Sequence, residues 1–504
     1  MEYNCTLIFY GVVALVILGY LWVKKNYRFF EKRGIPFVTP KFPLGNLWGV
    51  GTKRHAGMLV LEAYSKLKGR DILGGVFFFI RPVVMPVDLD LIKHILVKDF
   101  QYFHDRGVYV NERDDPLTAH LFAISGQKWK HLRAKLSPTF TSGKMKMMHS
   151  TIIAVAQEFQ QYLGECADNK EEVEIKDILG RFTTDVIGSC AFGVECNSLK
   201  DPHTEFRKMG KRVFEFKGFE ILKVFFLTMF PNIGKILRMR AIKKEVSEFF
   251  MRLLRETTEY REKNNVKRND FLSLLLQIKN TGKLEGDDVD LGKMSFNELA
   301  AQTFVFFVAG FETSSSTMTF ALYELALHQD IQDKARKEVN RILEKYNSQY
   351  TYEACMEMKY IDQIIKETLR MHPIVPNLVR TLTKDYKIPD RDYVFKKGTF
   401  FSIPVFGIHR DADIYPEPNK FDPDRFTEEN IKNRHQFSWL PFGDGPRNCV
   451  GMRFGMMQTR VGLATLLSKY RITPTSKTLI PMEYGATGPV LSPKGGMWLK
   501  IEKF

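Results

Sequence analysis

The sequence predicts a mainly α-helical domain with small β-sheets, carried behind a single N-terminal transmembrane helix. Three observations carry this expectation. Tyr3 to Val23 holds no charged residue. Helical patterning dominates most of the remaining chain, with an uninterrupted run from Ser295 to about His328. β-branched and aromatic residues concentrate instead in an early stretch, from Gly75 to Val87. A hydrophobic share of 44% and a charged share of 26% over 504 residues suit a globular protein with a large core.

The N-terminal run is long enough to cross a bilayer. At 1.5 Å per residue, about 20 helical residues cover about 30 Å, the thickness of the hydrocarbon layer. Tyr20 and Trp22 stand near one end, where an aromatic belt belongs. Lys24, Lys25, Arg28, Lys32 and Arg33 come next, and the positive-inside rule keeps that end and the remaining chain in the cytosol. A cleaved signal peptide needs its positive charge before the apolar run and a small-residue cleavage site after it; here Glu2 precedes and lysines succeed it. The expected organisation is therefore 1–23 as signal anchor, 24–49 as a basic, Pro-rich hinge containing Pro36, Pro40 and Pro43, and 50–504 as one domain without a composition break or repeat.

Within that domain the elements can be placed in order. Gly75 to Ile80 and Pro82 to Val87 read as two strands with a turn at Arg81-Pro82. Val224 to Phe230, before Pro231, is apolar and reads either as an ordinary helix face or as a membrane-dipping segment. Loops flank a short helix at Phe271 to Ile278. Ser295-Phe296-Asn297-Glu298 is a capping box that starts the longest helix, and Thr303 to Val308 is apolar nearly all round, as in a helix buried mid-protein. A helix from Tyr360 to Met371 stops at Pro373. Val394 to Phe406 reads as a hairpin about Lys396-Lys397-Gly398, and Tyr484 to Leu499 as another, with turns near Gly488 and Gly495-Gly496.

Charge and cysteines narrow the function. A net charge of +16 suits an anionic membrane or an acidic protein partner, and no basic-aromatic nucleic-acid module accompanies it. Six cysteines lie scattered without a C-x-x-C, which argues against a disulfide framework, a zinc site or a c-type haem.

One cysteine stands in a special setting. Phe442-Gly443-Asp444-Gly445-Pro446-Arg447-Asn448-Cys449-Val450-Gly451 places it between glycines, in a chain able to fold tightly with N–H groups facing the sulfur. Thiolate is the metal-binding form, and the neighbouring Arg447 lowers the pKa toward it. The plain alternative is a buried cysteine in a Gly-rich turn. The segment resembles the haem-binding loop of the cytochrome P450 family, the haem-thiolate monooxygenases. Such a thiolate donates electron density to haem iron and favours O–O cleavage.

Further motifs carry the same resemblance, which covers essentially the whole chain. Ala309-Gly310-Phe311-Glu312-Thr313 resembles the family's oxygen-binding motif. Ala309 and Gly310 would let the long helix approach a flat cofactor, with Thr313 and Glu312 delivering protons. Taken alone, these residues equally describe a helix-packing glycine and a threonine bonded back to a carbonyl one turn earlier. Glu367-Thr368-Leu369-Arg370 and Pro423-Asp424-Arg425-Phe426 are similar to the E-x-x-R and P-x-R-F elements; the resemblance implies a buried structural triad of Glu367, Arg370 and Arg425. Trp129 and Arg133 match a W-x-x-x-R helix whose members donate to haem propionates, and Arg447 and Arg380 are further candidates. Lys128, Lys130 and Lys135 on that helix are a solvated face or a docking patch. For substrate contact the candidates are Val305, Ala309 and Thr313 on one helical line, with Phe122, Val375 and Thr487 by resemblance.

Phe103-His104-Asp105-Arg106-Gly107 and Thr487-Gly488-Pro489 are closest to the microsomal, insect sixth family. The resemblance implies haem b held by Cys449, Phe442, Gly443 and Gly451, with O2 as cosubstrate and electrons from NADPH. An NADPH-cytochrome reductase is the implied donor, with a cytochrome b-type protein as a second source. The implied setting is the endoplasmic reticulum membrane, with the catalytic domain on its cytosolic face. Implied substrates are lipophilic xenobiotics, such as plant toxins or insecticides. Alternatives are hydroxylation of an endogenous hormone or lipid, a peroxide-using haem-thiolate isomerase or dehydratase, and a non-catalytic haem binder. Loss of the distal glycine or threonine would favour the isomerase, and both are present.

Overall fold

The computed structural model describes residues 2–215, 219–286 and 289–504. An N-terminal helix, Glu2–Tyr27, projects apolar side chains such as Phe9, Leu15 and Leu18 outward, and Phe9–Arg33 is long and apolar enough to cross a membrane. Residues 24–49, expected as a hinge, begin by continuing this helix and then dock on the first sheet. Phe30 is fully buried against Phe77, Tyr27 meets Phe77 edge-on at 5.1 Å, and Phe37 and Gly45 bridge to strand residues Gly75 and Phe78.

Strands β1 (Leu73–Phe78), β2 (Arg81–Pro86), β3 (Glu172–Glu174), β4 (Leu378–Thr381), β5 (Tyr386–Lys387), β6 (Val394–Phe395), β7 (Phe400–Ile403), β8 (Tyr470–Pro474) and β9 (Trp498–Lys503) form three small sheets among the described residues. Their orders are β1-β2-β7-β4, β3-β9-β8 and β5-β6. β2 runs parallel to β7, and the other pairs are antiparallel.

Three expectations are corrected here. The β1–β2 turn falls at Phe79-Ile80, with Phe79 at φ 54°, so Arg81 opens β2 instead of forming the turn. The chain does reverse at Lys396–Thr399, but Val394–Phe406 is no hairpin: β6 pairs with β5 while β7 joins β2 and β4. Tyr484 to Leu499 forms only the isolated bridge Tyr484↔Pro493, and β9 pairs with β3 and β8. β7 and β9 each take a partner far along the chain, β2 and β3 respectively.

The central helix, Phe296–Leu327, starts as its capping box dictates: Ser295 Oγ accepts from the Glu298 N–H at 3.2 Å, and Glu298 Oε2 accepts from the Ser295 N–H at 2.8 Å. It runs through the larger of two hydrophobic cores, lying against helix Ile175–Ile187. The E-x-x-R helix, Lys359–Met371, and a helix at Met452–Leu467 complete its surroundings. The second core lies under the four-stranded sheet. The cysteine loop 442–451 touches this second core directly: a Cβ on Gly445 would sit 2.0 Å from the Leu96 carbonyl oxygen, and its φ is +69°, so only glycine fits.

Candidate functional site

Cys449 is accessible to a solvent probe yet lies deep within the fold, so its surface opens onto an interior space. Its own N–H donates to the Phe442 carbonyl at 2.8 Å, which closes the loop. Burial pushes the thiol pKa up, while the Gly451 N–H and the Arg133 and Arg106 guanidiniums pull it down. Arg447, expected to act on the sulfur as its neighbour, points elsewhere. Its Nε donates to the His104 carbonyl at 2.7 Å and its Nη2 to the Ile124 carbonyl at 2.8 Å, and the guanidinium stacks 4.1 Å from the Trp129 ring.

Four guanidiniums converge on this loop. Helix Gly126–Leu136 presents Arg133, whose terminal nitrogens donate to Asn448. Arg106 donates to the Phe122 carbonyl at 3.0 Å and the Arg447 carbonyl at 2.9 Å. Arg380, on β4, is 1% exposed; it donates to the neighbouring Val379 carbonyl, and its Nε has no partner. Burial, reinforced by the neighbouring cations, lowers Arg447 to about 9 and Arg106 well below its ordinary value; burial lowers Arg380 to about 10. Among the described residues, the carboxylate within ion-pair distance of any of the four is Asp105, 3.8 Å from Arg447. Cations so poorly matched and so deeply buried are costly unless an anion joins them. Arg106 is the member that sequence reading missed; its segment was legible only as a family spelling, and nothing in its spacing marks it as facing Cys449.

The central helix leaves one face open midway along its length. Ala309 is exposed in the middle of this otherwise buried helix, and Val305 and Thr313, one turn to either side, are partly so. Gly310 turns differently: a Cβ there would meet Ile187 Cδ1 at 2.5 Å, so a larger residue would push the Ile187 side chain aside on helix Ile175–Ile187. The Thr313 hydroxyl donates to the Ala309 carbonyl at 2.5 Å. Glu312 Oε1 accepts from Lys176 Nζ at 2.5 Å.

Beneath the loop lies the triad. Arg370 grips the Glu367 carboxylate with Nε at 2.7 Å and Nη2 at 2.8 Å, both side chains fully buried, and Arg425 Nε stands 3.5 Å from Glu367 Oε1. Arg370 Nη1 also donates to the His409 carbonyl, and the His409 ring accepts from the Leu440 N–H at 2.9 Å. Trp439 Nε1 donates to the Lys366 carbonyl and its ring lies 6.0 Å from that of Phe442. The triad is thus wired into the residues that lead to Phe442 and Gly443.

The substrate candidates divide between two places. Phe122, 48% exposed, stacks under the Arg106 guanidinium at 4.1 Å, near the loop. Val375 and Thr487 lie on segments joined by the Leu491 N–H donating to the Ile374 carbonyl at 2.9 Å.

Fold and site together define a class: a mainly helical protein with one cysteine held in a tight loop, beside a cluster of arginines suited to an anionic cofactor. The family model described as Cytochrome P450 matches residues 37–499. Cytochrome P450 6A1 of Musca domestica is 46% identical over 497 residues, covering 98% of this chain and 97% of that protein. Cytochrome P450 6a9 and 6a2 of Drosophila melanogaster are each 45% identical, covering 97% and 99% of this chain and 98% and 99% of their own lengths. The chain belongs to the cytochrome P450 family, and its likeness to these insect members extends over nearly its full length.

Proposed function

We propose that this protein is a haem-thiolate monooxygenase that inserts one oxygen atom of O2 into lipophilic xenobiotics, such as plant toxins or insecticides, with electrons from NADPH through a flavoprotein reductase. The carrying observation is the convergence of Arg133 and Arg106 on Cys449, beside Arg447 and Arg380, with Asp105 near Arg447 as the one carboxylate in ion-pair reach of the four among the described residues. The unpartnered Arg380 Nε and the surplus of buried positive charge fit the propionates of haem b. Cys449 would ligate the iron; Trp129, Arg133, Arg380, Arg447 and Arg106 would meet the propionates. Phe442, Gly443 and Gly451 would shape the loop against the cofactor, and Ala309 would leave it room, while Gly310 serves the packing on helix Ile175–Ile187. When bound, the haem supplies the activation of O2.

The chain's own part is positioning and proton supply. Thr313 gives up its bond to the Ala309 carbonyl to hold a proton in the interior space, and Glu312, tethered to Lys176, relays protons from solvent. Val305, Ala309, Phe122, Val375 and Thr487 would contact the substrate. Glu367, Arg370 and Arg425 hold the loop and stay outside the chemistry.

The same reading anchors the chain in the endoplasmic reticulum membrane through 1–23, with 24–49 as connection and 50–504 facing the cytosol. Exposed Leu222, Phe230, Ile233 and Ile236 extend the apolar surface available to lipid. The reductase, or a cytochrome b-type donor, meets the helix bearing Lys128, Lys130 and Lys135. Lys128 is paired with Glu112 at 2.9 Å, so docking there must compete with that bond.

The test is NADPH consumption by the haem-loaded protein with reductase in lipid vesicles. Consumption that depends on O2 and a lipophilic compound, with an oxygenated product, is expected. Turnover with peroxide alone would favour the isomerase reading, and no turnover a haem binder. Cys449→His should abolish the long-wavelength band that thiolate ligation gives the reduced carbon monoxide complex; a retained band would remove Cys449 as ligand.

A further inference from the structure

A cavity of about 520 Å³ lies where the N-terminal helix meets the body of the protein. Leu21, Lys24 and Lys25 stand at i, i+3 and i+4 and so line it from one helix face. Arg28 and Lys32 prolong that face through the turns that follow. There the Arg28 N–H donates to the Lys25 carbonyl at 3.3 Å, and the Lys32 N–H to the Arg28 carbonyl at 3.0 Å. Thr39 and Pro40 form the facing wall. That wall is pinned to the first sheet: the Asn46 side-chain amide donates to the Thr39 carbonyl at 3.1 Å, and the Val38 N–H to the Gly75 carbonyl at 2.9 Å. The Tyr27 hydroxyl closes the base by donating to the Pro43 carbonyl at 3.3 Å.

Four cations therefore border one space. Arg28 is paired with Glu31 at 2.9 Å. Among the described residues, no carboxylate stands within ion-pair distance of Lys24, Lys25 or Lys32. Like charges a turn apart repel one another, and an anion set between them removes that cost. The flanking residues have the character of a membrane–water boundary. Trp22 is exposed, Tyr20 packs edge-on against Phe42 at 5.2 Å, and Phe42 is itself half exposed. One turn further out, Ile17 and Leu18 are exposed and apolar. A molecule seated here would place its charge among the lysines and its hydrocarbon along Leu21, Leu18 and Ile17.

We propose that this cavity binds the phosphate headgroup of an anionic phospholipid. The inference rests on the reading of 1–23 as a membrane anchor. Lysine suits the role, because a flexible point charge can meet a phosphate from several directions. A zwitterionic headgroup brings its own ammonium, which the cluster repels. The test reconstitutes the full chain in phosphatidylcholine vesicles and reads the lipid immobilised at the protein by electron spin resonance. The probes are spin-labelled phosphatidic acid and spin-labelled phosphatidylcholine. Phosphatidic acid should associate about fivefold more strongly. Lys24→Gln, Lys25→Gln and Lys32→Gln together should bring the ratio near one, while K24R, K25R and K32R together should keep it. Arg33→Gln, Lys41→Gln and Lys53→Gln remove the same charge from exposed positions outside the cavity, and this triple should keep the wild-type ratio. An equal loss in both glutamine triples would mean general attraction to a charged surface and would overturn the proposal. Inorganic phosphate exchanged for chloride at equal ionic strength should leave the ratio as it was; a fall would make free phosphate the occupant and overturn the lipid assignment. A wild-type chain that resists alkaline carbonate extraction yet shows a ratio of one overturns the proposal alone. Extraction by carbonate would overturn the anchor reading and the proposal with it.

Discussion

Arg133 holds Asn448 with both terminal nitrogens, Nη1 on its backbone carbonyl at 2.8 Å and Nη2 on its side-chain oxygen at 2.7 Å. Asn448 immediately precedes Cys449, so this two-point grip fixes the loop on the side facing helix Gly126–Leu136. A lysine carries the charge but lacks the rigid planar fork that meets both acceptors in one geometry. Arg133→Lys is expected to fold, to destabilise the loop by about 1–3 kcal/mol, and to lose haem faster on dilution. Haem retention equal to wild type in a transfer assay to apomyoglobin would show that the grip is dispensable.

Thr313 bonds back to Ala309, the most open residue on its helix face. Thr313→Ala leaves the backbone ladder intact, so fold and haem binding should persist. Product formation should drop by roughly 10²–10⁴-fold while reducing equivalents appear as hydrogen peroxide. Unchanged coupling of NADPH to product would remove Thr313 from proton delivery.

Glu367 sits between Arg370 and Arg425 with no exposure. Burial raises its pKa, and Arg370 holds it down. Glu367→Gln strands two buried guanidiniums, a loss of about 3–5 kcal/mol. Denaturant unfolding of the variant should show that loss together with a poorly loaded haem site. A deficit below about 1 kcal/mol would mean the triad is replaceable.

His409 gives a pH dependence with a definite sign. Burial first, and Arg370 second, lower its pKa to about 3, and its ring accepts from the Leu440 N–H. The unfolded chain binds this proton below about 6.5 and the native protein does not. Stability therefore falls as pH drops from about 6.5 toward 3, by about 1.4 kcal/mol per unit from this group, and is independent of it above that window. His409→Asn keeps an acceptor and removes the titration, so its stability curve should be flatter between about pH 6.5 and 4.5. Parallel curves for the two proteins would show that His409 does not titrate on unfolding.

Some of this architecture is written in short stretches of chain. Ser295 and Glu298 start the central helix because both halves of a capping box lie within four residues. Pro373 stops the E-x-x-R helix because its ring cannot follow a helical residue, and the observed end is Met371. The apolar N-terminal helix needs only length and the absence of charge, and the cysteine loop only the order of its ten residues. These were legible because the physical cause lies within a few residues of the effect.

What the tertiary structure alone decided depends on partners far along the chain. β7, buried along its whole length, pairs with β2, more than three hundred residues earlier, and with β4, while its chain neighbour β6 pairs with β5. Arg106 reaches the Cys449 loop, and Arg447 turns from the sulfur toward His104 and Ile124, through contacts that no spacing rule encodes. Lys176 meets Glu312, and Tyr484 meets His372, only after helices and loops have packed. Local sequence set the elements and the thiol's immediate frame. Which buried charges face one another depended on how those elements fill space, since a side chain's electrostatic partners are chosen by distance in the fold and not by distance in sequence.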